Sequence, residues 1–336
     1  MKTAMFGTNR LTNQVYPANT CRCLATPNHR INFGAYLITD NIRASKVFVI
    51  GGDSSIGASA AKYLADLGVS VTRSTRRNTE LDGKQCFMDL LDDPEKWEIP
   101  RSETFLISAA ICRIQDCEND PEASRKVNVE SLREIINVAD SQGAFILYLS
   151  TDQVFDGTVA HRHPDDRPCP KTEYGQQKAE AESIVLSASG NAAILRLTKV
   201  LDGAAGLIGS WHQNLINGKT ITPFSDMVMA PILLEMVNKA ISLILNSKQS
   251  GIFQLSGDID ISYAEAAHIL ADSIGANKNL IQPVPAREAG FSYNLPENTT
   301  LDTTRLRKQF SLQIPKSKDV IKKVVESVII ENTNNN

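Results

Sequence analysis

Short apolar runs alternate with helical patterns through the first part of the chain after residue 44. The first run, Lys46–Ile50, is followed by a glycine-rich turn and a helical pattern. Further strands are predicted at 69–72, 86–89, 104–110 and 144–149. A helical spacing of apolar residues covers 121–142 and ends at a glycine. Strands that alternate with helices in this way predict an α/β fold with a Rossmann-type, doubly wound parallel sheet.

The pattern is weaker after Val200, where polar segments separate the apolar ones. Helices are predicted at 211–216, 231–245, 262–274 and 319–330. Ser262 is predicted to cap the third of these, because Glu265 follows three residues later, as in a capping box. We expect the asparagine-rich tail, residues 331–336, to be frayed.

Residues 1–44 differ from the rest of the chain. Acidic residues are absent before Asp40, periodicity is weak, and basic residues are scattered through the segment. Such a composition also occurs in organellar transit peptides, whereas the apolar region of a secretory signal does not follow the basic start. We favour a disordered extension, or a start codon placed too early, over a targeting peptide.

Composition narrows the class of protein. Of the 336 residues, 42% are hydrophobic and 22% charged, with a formal net charge of −3, which argues against a nucleic-acid partner. No apolar run reaches the length of a membrane span, so no membrane association is expected. The six cysteines lack zinc-site spacing and suit a reducing cytoplasm, which is the predicted location. His161 and His163 lack a carboxylate at a fixed spacing, so no metal is expected.

The turn after the first strand has the context of a dinucleotide-binding site. Glycines there let the backbone approach a pyrophosphate, and the N-terminus of the following helix offers free N–H groups to it. The usual pattern is Gly-x-x-Gly-x-x-Gly, and this chain has serine at the middle position, which weakens the match. The predicted cofactor-binding residues of this turn are Gly51, Ser54, Ser55, Ile56 and Gly57.

The end of the second strand indicates which dinucleotide is bound. A free ribose 2′-hydroxyl favours an acidic residue there, but Arg73, Arg76 and Arg77 occupy this segment instead. Guanidinium groups suit a 2′-phosphate, so NADP(H) is predicted, with a solvated basic turn as the alternative. Further cofactor contacts are predicted at the ends of the third and fourth strands, from Asp89, Leu90, Ala109 and Ala110.

Candidate catalytic residues follow the fifth predicted strand. Thr151 stands where that strand ends, and Tyr174 and Lys178 are four residues apart, so they share one face of a helix. A phenol is a poor acid at neutral pH, and a nearby ammonium group lowers the phenol pKa. With a hydroxyl to hold the substrate oxygen, these groups suit proton transfer that accompanies hydride transfer. The alternative is a chance Tyr-x-x-x-Lys spacing in a helix.

These motifs carry a family resemblance. Together they resemble an extended short-chain dehydrogenase/reductase, and within it the dTDP-4-dehydrorhamnose reductase branch. The resemblance covers about residues 46–330. The motifs, in order, are the glycine turn 51–57, Asp89-Leu90, Ser108-Ala109-Ala110, Asn128, Ser150-Thr151-Asp152-x-Val154-Phe155-x-Gly157 and Tyr174-Gly175-x-x-Lys178.

The resemblance implies roles for the candidate residues. Tyr174 would protonate the 4-keto oxygen of a nucleotide-linked 4-keto-6-deoxy sugar as NADPH delivers hydride, and Thr151 would hold that oxygen. Lys178 would bind the nicotinamide ribose and lower the pKa of the tyrosine. The resemblance also implies a cofactor-binding domain at 45–200 and a substrate-binding lobe at 201–330, partly interleaved with the sheet.

Predicted substrate contacts include two departures from the family pattern. Asp152 matches the family motif, whereas Gln153 and Lys199 stand where the rhamnose-forming enzymes usually have tyrosine and tryptophan. Lysine would suit a pyrophosphate or a carboxylate, so the sugar could differ from that of the rhamnose enzymes. Trp211 is a further candidate contact, although an aromatic residue at helical spacing is more often part of a core.

Two alternatives stay open. An epimerase or dehydratase of the same superfamily would keep its cofactor bound and show no net use of NADPH. The regulatory β subunit of methionine adenosyltransferase also resembles this branch, and it acts by binding a partner. Turnover distinguishes the three, because cofactor binding fits all of them. Family habit also favours a homodimer.

Overall fold

The computed structural model describes residues 46–334 except 78–80, 82, 189, 204–205 and 292–294. The predicted N-terminal extension and the end of the predicted tail therefore lie outside the described residues. Seven parallel strands form the main sheet: β1 Lys46–Ile50, β2 Ser70–Thr75, β3 Gln85–Phe87, β4 Thr104–Ile107, β5 Phe145–Thr151, β6 Ala192–Leu197 and β10 Gly251–Leu255. Two small two-stranded sheets contain β7 Val200–Leu201, β8 Val228–Met229, β9 Ile232–Leu233 and β11 Ile261–Ser262.

The strand order in the main sheet is β10-β6-β5-β4-β1-β2-β3. The order reverses at β1, so the carboxyl ends of β1 and β4 border the crevice where doubly wound sheets bind their ligands. The predicted Rossmann-type α/β fold is confirmed.

Helices cover both faces of the sheet and build the C-terminal part. They are α1 Ser55–Asp66, α2 Ile114–Asn119, α3 Pro121–Arg125, α4 Ser131–Ser141, α5 Glu173–Ser187, α6 Leu207–Ile216, α7 Leu234–Ser247, α8 Tyr263–Ile274, α9 Thr304–Phe310 and α10 Ser317–Asn334. None of the described helices has both the length and the low charge that a membrane crossing requires.

Several predicted helices differ at their ends or in their interior. The helix predicted at 121–142 is divided by a π-helical turn, Lys126–Glu130. The last helix extends through Asn334, beyond its predicted end at residue 330. The capping prediction is confirmed, because Ser262 Oγ accepts a hydrogen bond of 3.0 Å from the N–H of Glu265.

Alternation along the strands divides the apolar residues between two cores. Val47 and Val49 of β1 point to the face covered by α1 and α7, whereas Phe48 and Ile50 point to the face covered by α4 and α5. Side chains on a strand alternate between faces, so a run that is apolar at every position fits a strand buried on both sides.

A third core lies in the C-terminal part, between α6, α8 and α10. This part also contributes β10 to the edge of the main sheet, and α9 packs against β10. The division into a cofactor domain and a substrate lobe stays a prediction.

A buried ion pair connects β6 to α5. Two of the three guanidinium nitrogens of Arg196, Nε and Nη2, donate to the carboxylate of Glu182 at 2.9 and 2.7 Å. Arg196 is 1% exposed and Glu182 2%. Nη1 of Arg196 donates to the carbonyl of Pro164 and to Gln254 Oε1 of β10, both at 3.1 Å. The pair therefore fixes the helix that carries the candidate tyrosine and lysine relative to the sheet.

Candidate active site

The glycine-rich turn lies in close contact with the end of β4. A Cβ atom added to Gly51 would lie 2.6 Å from the backbone nitrogen of Ala109, and Gly51 has φ of +90°. A Cβ atom on Gly57 would lie 2.2 Å from the carbonyl oxygen of Gly51. Only glycine fits either position without a backbone shift, which supports the dinucleotide-binding prediction for this turn.

Ser54 caps α1. Its Oγ accepts a hydrogen bond of 3.0 Å from the N–H of Gly57 and donates one of 2.8 Å to the carbonyl of Gly51. The serine therefore replaces the usual middle glycine with an N-cap, which stabilises the turn. Ser55 and Ile56 begin the helix, and their N–H groups have no acceptor within it, so they suit an anionic phosphate.

A cavity of about 250 Å³ opens beside this turn, across the carboxyl ends of β1, β2 and β4. Its apolar wall includes Met88, Ile111 and Val127. It is lined by these predicted cofactor-binding residues: Gly51, Ser54, Arg76, Asp89, Leu90, Ala109 and Ala110.

The three predicted arginines differ in position. Arg76 lines the cavity. Arg73 is half-buried under the turn, where its Cβ lies 2.7 Å from a Cβ added to Gly52. Arg77 is exposed, and its N–H donates to Thr75 Oγ1 at 3.0 Å. Of the three, Arg76 has the position that suits contact with a bound dinucleotide.

Asp53 is a cavity residue that the sequence analysis missed. Its carboxylate oxygens lie 3.0 and 2.9 Å from Thr75 Oγ1, which donates to them, and Oδ2 accepts from the N–H of Arg76 at 3.0 Å. The sequence showed no acidic residue at the end of β2, but the turn after β1 supplies one from the neighbouring strand. Because β1 and β2 are parallel neighbours, their carboxyl ends lie side by side.

Thr151 is the last residue of β5, and α5 starts close to it. Thr172 caps α5 by accepting a 3.1 Å hydrogen bond from the N–H of Gly175. A Cβ atom on Gly175 would lie 2.2 Å from the carbonyl oxygen of Gln153. Glycine after Tyr174 therefore lets the helix approach the end of β5, which brings the phenol and the threonine hydroxyl together.

Tyr174 is 8% exposed. Burial raises its pKa well above the ordinary value, the neighbouring Cys112 and Asp152 raise it further, and the Thr151 hydroxyl lowers it by hydrogen bonding. Burial outweighs the other influences on this pKa, and Lys178 is not among the neighbours that shift it, so the expected lowering by the lysine ammonium stays a prediction. The phenol is therefore protonated at neutral pH, as a proton donor must be.

Lys178 is 2% exposed and lies one helical turn beyond Tyr174. Its Nζ donates to the carbonyl of Leu149 at 2.7 Å and lies 4.0 Å from the centroid of the Tyr148 ring. Burial lowers the pKa of Lys178 to about 7, and the nearby Glu182 opposes this shift. Small changes in its surroundings can therefore change the charge of the amine near neutral pH.

Asp152 forms a compact group with its neighbours. Thr151 Oγ1 donates to Asp152 Oδ1 at 3.0 Å, and Gln153 Nε2 donates to Oδ2 at 2.9 Å. Burial raises the pKa of Asp152 to about 6 despite these bonds, and Asp260 contributes to the increase. Gln153 thus orients the carboxylate beside Thr151.

A buried amide network holds the loop after β4. Asn128, in the π-helical turn, accepts from the N–H of Ile111 at 2.8 Å and donates to the carbonyl of the same residue at 3.0 Å. It also donates to Gln177 Oε1 at 2.8 Å, and Gln177 Nε2 donates to Ser124 Oγ at 2.9 Å. The sequence analysis did not single out Gln177; its place next to Lys178, on the inner side of α5, was the available signal.

Residues 45–330 match the model of the family described as RmlD substrate binding domain. The chain belongs to this family. The predicted resemblance to the dTDP-4-dehydrorhamnose reductases is confirmed.

The relatives of this chain include reductases and beta subunits of methionine adenosyltransferase. It is 24% identical over 290 residues to a probable low-salt glycan biosynthesis reductase, Agl14, of Haloferax volcanii, covering 81% of this chain and 94% of the relative. It is 25% identical to the dTDP-4-dehydrorhamnose reductase of Sinorhizobium fredii, covering 66% and 79%. The chain is 28% identical to methionine adenosyltransferase 2 subunit beta of Xenopus laevis, but this match covers 57% of the chain and only 60% of that protein.

Solved structures agree with the fold of this RmlD-family chain. The dTDP-4-dehydrorhamnose reductase of Yersinia enterocolitica superposes with a TM-score of 0.75 at 23% identity, covering 84% of this chain and 99% of the other. The Bacillus anthracis reductase, solved in complex with NADP, gives 0.74 at 18% identity, covering 83% and 98%. At these identities the comparison shows the fold.

The remaining predicted substrate residues of this RmlD-family member have different surroundings. Lys199 is exposed two residues after the end of β6. Trp211 is 7% exposed and packs in the core between α6, α8 and α10, so its side chain stabilises that core. Substrate contact by either residue stays a prediction. Within the described ranges, His, Cys, Asp and Glu side chains form no group of three that could hold a metal ion.

Proposed function

We propose that this chain is an NADPH-dependent reductase of a nucleotide-linked 4-keto-6-deoxy sugar. The observation that carries the proposal is the proximity of the Thr151 hydroxyl at the end of β5 to the buried Tyr174 phenol at the start of α5. Membership of the RmlD family supports the substrate class. The names of the Haloferax and Sinorhizobium relatives support reduction.

The turn and the cavity fit a dinucleotide. Gly51 and Gly57 leave room for a pyrophosphate, and the start of α1 offers the N–H groups of Ser55 and Ile56. Arg76 would bind the 2′-phosphate at the far end of the cavity. When bound, NADPH supplies the hydride for the reduction.

The chain's own residues would manage the proton. Thr151 would hold the keto oxygen within reach of the Tyr174 hydroxyl, and the phenol would donate its proton to that oxygen. A phenolate then remains in a buried site, where charge is costly. Lys178 would stabilise it if its ammonium moves from the Leu149 carbonyl towards the phenolate and the nicotinamide ribose.

The residues predicted to contact the substrate fit a nucleotide sugar but do not identify the sugar. Gln153, where the rhamnose-forming enzymes usually have tyrosine, donates to Asp152. Lys199 adds an exposed positive charge after β6, which suits a pyrophosphate or an acidic sugar. We therefore propose the reaction type and the substrate class, with dTDP-4-keto-6-deoxy sugars as the first candidates.

A second candidate is a regulatory subunit. The match to methionine adenosyltransferase 2 subunit beta, at 28% identity over 204 residues, is the observation that favours it. The third, a dehydratase or epimerase, would return its cofactor to the starting state in each turnover and consume no NADPH.

Turnover tests the proposal. Purified protein would be mixed with NADPH and a panel of enzymatically generated nucleotide 4-keto-6-deoxy sugars, and both absorbance at 340 nm and sugar products would be followed. Stoichiometric oxidation with a 4-hydroxy product supports the reductase. A changed sugar without NADPH loss would indicate an epimerase or dehydratase. NADPH binding without any sugar conversion would favour the regulatory subunit.

A further inference from the structure

The carboxylate of Asp53 lies at the cavity wall beside the end of β2, the strand end at which dinucleotide-binding sheets hold the adenosine ribose. It is held between the turn after β1 and the end of β2, by Thr75 Oγ1 and the N–H of Arg76. These bonds fix the carboxylate at the cavity wall. A carboxylate has about four acceptor sites, so it can still accept from a ribose hydroxyl.

Two backbone donors at the end of β2 are already engaged. The N–H of Arg76 donates to Asp53, and the N–H of Arg77 donates to Thr75 Oγ1. An additional phosphate at the described part of this strand end would therefore depend on side-chain donors, and Arg76 is the guanidinium that lines the cavity.

The charges of the cavity wall also disfavour a 2′-phosphate. The charged side chains that line the cavity are Asp53, Arg76 and Asp89, which sum to −1. A phosphate monoester adds further negative charge, and like charges at short distance repel. Arg76 attracts a 2′-phosphate and Asp53 repels it.

We propose that Asp53 sets the cofactor preference by accepting from the adenosine ribose hydroxyls and disfavouring a 2′-phosphate, so that the chain binds NADH as well as NADPH. This inference rests on the proposed function, since it assumes that the cavity binds a nicotinamide dinucleotide. The carboxylate performs the task that an acidic residue at the end of β2 performs in NAD-binding sheets.

Dissociation constants test the assignment without turnover. Binding of NADH and NADPH would be measured by calorimetry for wild type, Asp53→Asn and Asp66→Asn, together with 5′-AMP and 2′,5′-ADP, which differ only by the 2′-phosphate. Asp66→Asn removes the same charge at the other end of α1, where Asp66 pairs with Lys62 on the surface.

We expect wild type to bind NADH and NADPH with affinities within about tenfold, and Asp53→Asn to raise the NADPH to NADH affinity ratio by about tenfold or more. The 2′,5′-ADP to 5′-AMP ratio should rise in parallel, and Asp66→Asn should change neither. The assignment is overturned if Asp53→Asn changes the NADPH to NADH affinity ratio by less than about twofold. It is also overturned if Asp66→Asn changes this ratio as much as Asp53→Asn does. If wild type binds neither dinucleotide, the proposed function itself fails.

Discussion

Lys178 donates a hydrogen bond of 2.7 Å to the backbone carbonyl of Leu149, two residues before Thr151. This bond ties the middle of α5 to the end of β5, at the centre of the site. The amine is buried, and its pKa is lowered from 10.5 to about 7. The unfolded chain thus holds this proton up to about pH 10.5, while the folded protein releases it near pH 7.

This difference predicts how stability depends on pH. Between about pH 7 and 10.5 the unfolded state binds more protons at Lys178 than the folded state, so the folded protein gains stability as pH rises. The stability of wild type relative to Lys178→Met should increase by at most about 2–3 kcal/mol between pH 7.5 and 9.5. Urea unfolding at both pH values measures this. Lys62→Met, which replaces an exposed lysine, is the control and should show the pH dependence of wild type. Equal pH dependence in wild type and Lys178→Met would contradict the lowered pKa of Lys178.

Stability should depend strongly on the buried ion pair between β6 and α5. Arg196→Met leaves the Glu182 carboxylate buried without its partner and should cost about 3–5 kcal/mol in urea unfolding. The pair Arg125–Glu180, whose side chains are 44% and 37% exposed, is the matched control, and Arg125→Met should cost about 1 kcal/mol or less. Similar losses in both variants would show that burial does not determine the cost.

Ser54 should contribute to stability more than to cofactor binding. Ser54→Ala removes the cap of α1 and should cost about 1 kcal/mol, whereas Ser54→Gly should cost a few tenths. Ser262→Ala, which removes the cap of α8 away from the cavity, is the control and should cost a similar amount. NADPH affinity of Ser54→Gly should stay within about threefold of wild type. A tenfold gain in the glycine variant would instead show that the serine obstructs the phosphates.

The two neighbouring arginines should differ in cofactor recognition. Arg76 lines the cavity and Arg77 does not, so Arg76→Ala should weaken NADPH binding by about 10- to 100-fold with little effect on NADH. Arg77→Ala should change either affinity by less than about threefold. Calorimetric titration with both dinucleotides checks this. Equal losses of NADPH and NADH affinity in Arg76→Ala would refute a contact with the 2′-phosphate.

The sequence predicted the sheet and the helix that carries Tyr174 and Lys178 because both depend on local patterns. Apolar runs define β1, β4 and β5, and the spacing of Tyr174 and Lys178 is a property of one helix. The π-helical turn at 126–130 left no such pattern, since it depends on buried contacts of Asn128 with a distant loop.

The position of Asp53 beside Thr75 also depends on tertiary structure, as does the pKa of Tyr174. Asp53 is 22 residues from Thr75 along the chain, and only strand pairing brings them together. The direction of the tyrosine shift depends on how deeply α5 packs against the end of β5, which the spacing of Tyr174 and Lys178 does not specify.

Tyr174→Phe tests whether Tyr174 donates the proton during reduction of a nucleotide-linked keto sugar. The variant removes one hydroxyl, so NADPH affinity should be unchanged while NADPH oxidation with a dTDP-4-keto-6-deoxy sugar falls by about 10²- to 10⁴-fold. Tyr63→Phe, on α1, should retain wild-type oxidation. A Tyr174→Phe variant that keeps more than about a tenth of the wild-type rate would contradict proton donation by Tyr174.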